Sequence, residues 1–260
     1  MTAWPARVVR AARSGMYLAA SFAYLAVVMG LAQRLILLPL FTLFPSRRRR
    51  WLRGWMQLQA RVTLRIARTF ANLRMSVQGA IEPVSCVVIM NHQSVLDIPL
   101  AVSLMPGPLP LIPTRDRYRR GIPGISPLAR MCEMPFVSQG RTSTRAELQS
   151  LLAAADLVAR GERSLLIYPE GHRTRDGEIA PFMTSGLRLL LQRARQPVYA
   201  IVVDGMWRAR TVADTSGFLD MNARATVLGP FPPPSKDEID SFIEALRCRM
   251  IDALAELRAS

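Results

Sequence analysis

Only two histidines occur in the 260 residues, and each lies where an apolar run gives way to a loop. His92 follows Cys86 to Met90 (CVVIM) in the segment Asn91-His-Gln-Ser-Val-Leu-Asp97. A histidine at the carboxyl end of a strand, with an aspartate five residues on, can form a base and its orienter. The carboxylate accepts the proton of one ring nitrogen and leaves the other free as a general base. The second junction is Tyr168-Pro-Glu-Gly-His-Arg173. Strand, Pro, Gly and Arg in that order suggest a tight turn whose N–H groups and guanidinium face an anion. Taken singly, each segment also has a plain reading: a loop histidine beside a helix-capping aspartate, and an ordinary β-turn carrying a solvated charge.

The elements that must hold these junctions follow from the apolar pattern. CVVIM, Ser164 to Tyr168 and Val198 to Val203 read as buried strands, with Met134 to Ser138 and Ala223 to Leu228 as weaker ones. Thr144-x-x-Glu147 has the form of a capping box opening a helix to about Arg160, closed by Gly161. Ser235-x-x-Glu238, after three prolines, does the same for a final amphipathic helix. Alternating strands and helices predict an α/β fold with a mostly parallel central sheet flanked by helices. Ligands bind such sheets at the carboxyl ends of the strands, where His92 and Arg173 lie.

Ahead of this domain, assigned to residues 75–260, residues 1–74 form a basic, hydrophobic, membrane-associating helical segment. Residues 1–80 hold 13 arginines and no carboxylate. Within them an apolar run from Met16 to Phe44 is interrupted once, at Gln33-Arg34. Arginines precede the run (Arg7, Arg10, Arg13) and follow it (Arg47 to Arg50), so both ends belong on one side of a bilayer. That predicts a shallow helical membrane hairpin or interfacial segment; a single span and a buried helix are the alternatives. The net charge of +15 requires an anionic partner such as phospholipid headgroups. No helix-turn-helix, RRM or finger pattern supports nucleic acid. Cys86, Cys132 and Cys248 are scattered, form no CxxC pair and have no nearby histidine, which predicts buried free thiols and no metal.

Taken together, the two junctions resemble the glycerolipid acyltransferase family, which includes 1-acylglycerol-3-phosphate acyltransferases. Asn91-His-Gln-Ser-x-x-Asp97 resembles that family's NHxxxxD motif, and Tyr168-Pro-Glu-Gly-His-Arg173 its FPEGTR motif. Pro197 to Gly205 is similar to its fourth block. The resemblance implies a phospholipid-synthesis acyltransferase with His92 and Asp97 catalytic. Glu170, Gly171, Arg173 and Arg141 would bind the acceptor. It implies no cofactor beyond acyl-CoA or acyl-ACP as co-substrate, a lysolipid acceptor, and a catalytic domain on the cytoplasmic face of the membrane. The sequence departs from the pattern at Glu133 and Gln139, where the second block has Gly and Arg. It departs again at His172, at Met183 in place of a Lys, and at Ala200 in place of a Pro. The acceptor the resemblance implies is 1-acyl-sn-glycerol-3-phosphate or a related lysolipid; the loss of two expected cations weakens lysophosphatidate and raises lysolipids with another headgroup, with lyso-ornithine lipid as the alternative. A membrane adaptor is the non-enzymatic alternative. The basic cluster Arg115, Arg117, Arg119 and Arg120 reads either as a site for donor phosphates, carrier protein or membrane, or as a solvated loop.

Overall fold

The computed structural model describes residues 3–138, 144–212 and 214–259. Its strands are β1 (Arg74–Gln78), β2 (Val87–Met90), β3 (Pro110–Leu111), β4 (Thr114–Arg115), β5 (Phe136–Val137), β6 (Ser164–Ile167), β7 (Val198–Asp204) and β8 (Asn222–Phe231). The main sheet runs β1-β8-β7-β2-β6-β3, while β4 and β5 pair separately. Every neighbouring pair is parallel except β7 with β8. Strands β2 and β6 are buried at every residue, as covered parallel strands must be, and β7 is buried at all but its last. The predicted α/β class and parallel sheet are therefore present.

The labelled helices are α1 (Ala3–Ala23), α2 (Arg48–Ala71), α3 (Asp97–Leu104), α4 (Ile125–Met131), α5 (Arg145–Ala159), α6 (Thr184–Ala194) and α7 (Ile239–Ala259). The capping box of α5 forms as expected: Glu147 N donates to Thr144 Oγ1 at 3.2 Å and Thr144 N to Glu147 Oε2 at 2.8 Å. Helix α7 starts later than its sequence signal. The Ser235 hydroxyl is spent on the Glu238 carboxylate at 2.5 Å, and the chain turns once more before Ile239.

The apolar run Met16–Phe44 does not fold back on itself as the hairpin reading expected; it lies within one continuous helix. Helix α1 continues through π-helical stretches Tyr24–Met29 and Gln33–Leu37 to Leu43, with no break at Gln33-Arg34. Gln33 is buried, and its Nε2 donates to the Gly124 carbonyl at 2.9 Å. The polar interruption thus ties the helix to the domain instead of ending it. Reversal comes at Phe44, whose backbone leaves the helical region, followed by the Pro45–Arg47 turn and α2. Helix α2 buries Leu52, Met56, Ala60, Leu64, Ala67 and Ala71, a stripe at spacings of three and four, in the same hydrophobic core as the sheet. The core therefore runs across the expected boundary at 74/75, which falls one residue inside β1. Cys86 and Cys132 are buried free thiols, whereas Cys248 is exposed.

Candidate active site

Because β2 lies between β6 and β7, the loops leaving the carboxyl ends of all three meet. The segment after β2 is bolted down on the β7 side by Asn91, Gln93 and Ser94. Asn91 Nδ2 donates to Val203 O, and Val203 N donates to Asn91 Oδ1, both at 2.8 Å. Gln93 Oε1 accepts from Met206 N at 3.0 Å, and Ser94 Oγ donates to Ala209 O at 2.7 Å. Asn91, Gln93 and Ser94 are all buried, and each satisfies polar groups that would otherwise be costly there. Their role was not assigned from sequence, although their polarity next to a buried strand was visible.

His92 is held from three sides. Its Nδ1 lies 2.7 Å from Asp97 Oδ2, which also accepts from Gln93 N at 2.6 Å and Ser94 N at 2.7 Å. Asp97 is fully buried at the start of α3. A carboxylate bound this way accepts a hydrogen bond from Nδ1–H and so keeps the proton there, leaving Nε2 unprotonated, the tautomer a general base requires. The Tyr168 ring stacks on the imidazole, with centroids 4.1 Å apart and planes 25° from parallel. The main chain of His92 is held by the second junction: its N–H donates to Glu170 Oε1, and its carbonyl accepts from Thr174 N, both at 2.7 Å.

Glu170 serves a purpose different from the expected acceptor contact. Its second oxygen accepts from Ala180 N at 2.9 Å, and the side chain is buried, so it is a strut joining two loops. Burial raises its pKa to about 7 against the lowering effect of those backbone donors. Gly171 has φ of +70°, and a Cβ there would come within 2.4 Å of Met183 Sδ. Its N–H closes the turn onto Tyr168 O and its carbonyl accepts from Arg115 Nη2 at 3.0 Å. Of the turn's expected anion donors, the guanidinium of Arg173 therefore carries the charge. Arg141 lies outside the described residues, as does Gln139.

Sequence reading placed Arg115 in an undivided basic cluster; the structure divides it. Arg115 joins the turn and is electrostatically coupled to Arg117 and Arg173; burial first, then these neighbours, lower its pKa. Arg119 turns away to Asp116 and the face of Phe136. Three buried polar atoms of the two junctions have no partner within the protein: Asp97 Oδ1, Tyr168 Oη and Arg173 Nε. No group of three or more histidine, cysteine or carboxylate side chains fit to hold a metal occurs among the described residues.

A parallel sheet with a histidine–aspartate pair at one strand end and a cationic turn at the next defines an acyltransferase-like site. The chain belongs to the Acyltransferase family, whose model matches residues 74–204, half of its length. It is 31% identical to human 1-acyl-sn-glycerol-3-phosphate acyltransferase beta over 120 residues, 45% of this chain and 40% of that protein. To the human alpha enzyme it is 25% identical over 173 residues, 66% of this chain and 59% of that one. The chain thus spans well under two thirds of either relative. Its fold matches the crystal structure of PlsC, the 1-acyl-sn-glycerophosphate acyltransferase of Thermotoga maritima, with a TM-score of 0.71. That match has 19% identity and covers 98% of both chains.

Proposed function

We propose that this protein is an O-acyltransferase of phospholipid synthesis that moves a fatty acyl group from a thioester to the free hydroxyl of a lysolipid with an anionic head. The observation that carries this reading is the His92–Asp97 pair, oriented for Nε2 to act as base beside the Arg173 turn. His92 Nε2 removes the hydroxyl proton as the acceptor oxygen attacks the thioester carbonyl carbon. Collapse of the tetrahedral adduct breaks the C–S bond, and the imidazolium returns its proton to the departing thiolate. Asp97 stabilises the imidazolium, and such a positioned base contributes about 10²–10⁴ in rate. The thioester is acyl-CoA or acyl-ACP; both present the same reacting bond.

The acceptor's head lies against Arg173 and Arg115. Two coupled cations at one turn suit a phosphate monoester, so 1-acylglycerol 3-phosphate is the acceptor this arrangement favours. Met183, exposed against Gly171, supports lyso-ornithine lipid as the second reading, because it offers no charge where a lysine is usual. The deciding experiment measures thiol release with matched lysophosphatidate and lyso-ornithine lipid, in the wild type and in Arg115→Gln and Arg173→Gln. Equal kcat/KM for both acceptors, unchanged by either substitution, would reject the phosphate site.

The first helix supports a reading in which this site works at a bilayer. Arg7–Leu43 is long and apolar enough to cross one and only 17% of its most apolar window is buried. Its outward residues include Phe22, Val27, Val28, Leu31 and Leu35, while Tyr17, Met29, Gln33 and Leu37 face the protein. We assign this outward face to lipid, with the catalytic domain on the cytoplasmic side.

A further inference from the structure

The two amino-terminal helices enclose a groove of about 610 Å³ that plays no part in the site described above. That volume falls within the range of about 300–1,000 Å³ usual for small-molecule pockets. Leu37 and Leu40 wall it from the first helix and Leu58 from α2, and Gly54 keeps it open. A Cβ added at Gly54 would meet no atom within 4 Å. Arg47 and Arg50 line the end nearest the start of α2. Leu58 lies eight residues beyond Arg50, about 12 Å along the helix. The groove is thus cationic at one end and apolar along its length.

The arginines differ within their own cluster. Arg48 donates to the Met131 carbonyl at 3.0 Å, and Arg49 is ion-paired with Glu162. The side chains of Arg47 and Arg50 make no hydrogen bond or ion pair among the described residues, and both border the groove. They sit at the start of a 24-residue helix with no side-chain cap and no acidic residue in its first turn. Such a terminus favours an anion on its own account through its dipole. An independent sign of a ligand is Trp55, which lines the same groove and has its indole N–H buried without an acceptor. A buried donor of that kind is costly unless something accepts from it.

The location separates this groove from catalysis. Arg49 reaches Glu162, which precedes β6, while Arg53 and Gln57 reach the carbonyls of Pro106, Val102 and Met105 at the far end of α3. These contacts lie toward the amino ends of the strands, whereas His92 and Glu170 follow their carboxyl ends. A lipid held here is therefore not the one being acylated.

We infer that the groove is a binding site for one resident anionic phospholipid. Its phosphate lies between Arg47, Arg50 and the start of α2; one acyl chain runs over Gly54 toward Leu58, and an ester or phosphate oxygen accepts from Trp55. The inference rests on the membrane placement of the first helix. The test is native mass spectrometry of the full chain in detergent, titrated separately with dioleoyl phosphatidylglycerol and dioleoyl phosphatidylcholine. Flotation of the same protein on vesicles of each lipid accompanies it. The expected result is a single phosphatidylglycerol adduct that saturates at a concentration about tenfold or more below phosphatidylcholine, the size of a charge-assisted contact. Replacing Arg47→Gln and Arg50→Gln together should remove that selectivity. Gly54→Leu should remove the adduct while leaving thiol release intact, because the site above Gly54 is open and leucine suits a helix better than glycine. Equal affinity for the two lipids, or an adduct that survives Gly54→Leu, would overturn the assignment while flotation still upheld membrane placement. Failure to float on either vesicle would overturn both.

Discussion

The His92 junction and the amino-terminal helices solve opposite problems with the same backbone. Around His92 nearly every polar group is answered from within: Asn91, Gln93 and Ser94 fasten the loop, Asp97 collects three donors, and Glu170 binds two. Along Arg7–Leu43 the outward face offers side chains that water disfavours, and Phe22 and Leu35 are about 70% exposed. The first region is specified by what it satisfies. The second is specified by what it leaves for a partner to satisfy. The proposed acyl transfer needs both: a rigid base and a surface that brings that base to a lipid substrate.

The largest expected effect comes from breaking the rigid side. His92→Ala should lower turnover by about 10²–10⁴ with little loss of stability, because the imidazole is a base more than a packing element. Asp97→Asn should cost at least about 10², since its amide keeps the shape but lacks the charge that fixes the tautomer and stabilises the imidazolium. Thiol release by purified, folded variants measures both, and near-normal activity in either would contradict the mechanism.

Breaking the other side should separate association from chemistry. Phe22→Glu with Leu35→Glu removes two outward apolar side chains, each worth about 1.5–3 kcal/mol of burial. Flotation on liposomes should fall by more than about 10², with the melting temperature and activity on detergent-dispersed acceptor unchanged. Deleting residues 1–45 is the poorer experiment. Tyr17 packs on Phe218 with ring centroids 5.0 Å apart, and Gln33 bonds Gly124, so the truncation would also damage the domain.

A subtler effect concerns the strut between the loops. Glu170 has a pKa raised from 4.5 to about 7, so the folded protein keeps a proton that the unfolded chain releases between those values. Its contribution to stability is complete below 4.5 and is lost as the pH rises through about 7. The melting temperature of the wild type minus that of Glu170→Gln should fall across this window and level off above it. A difference that does not vary with pH would show that Glu170 does not titrate there.

How much of this was legible depended on how local the cause was. Strands β2, β6 and β7 announce themselves because burial on both faces demands apolar runs. The α5 cap was readable because its four residues contain the whole interaction. Strand β1 was missed because it is basic and largely exposed, and β3 because two residues beginning with Pro110 carry no period. Gln33 looked like a break because its partner, the Gly124 carbonyl, is 91 residues away. The same distance problem hid the role of Arg115 and the conversion of Glu170 from expected ligand to strut. His92 and Asp97 were legible as a pair because they lie five residues apart, one after the end of β2 and the other at the start of α3.

The smallest effect is also the sharpest test of the comparison. Tyr168 Oη is an exception to the satisfied side of the molecule, since it is buried and unpaired. Tyr168→Phe keeps the ring that stacks on His92 and removes only that oxygen. If the hydroxyl serves nothing, its loss should raise stability by about 1 kcal/mol or more, the cost of a buried unpaired group, and leave kcat/KM unchanged. If it meets the acceptor, as its place beside Arg173 and Asp97 suggests, stability should still rise while kcat/KM falls about threefold to tenfold, the worth of one neutral hydrogen bond. Melting temperature and kcat/KM measured on the same preparation separate these outcomes. A rise in stability joined to a fall in activity would place Tyr168 with the residues whose unsatisfied groups exist for a partner, extending to the His92 junction the logic that governs the helices.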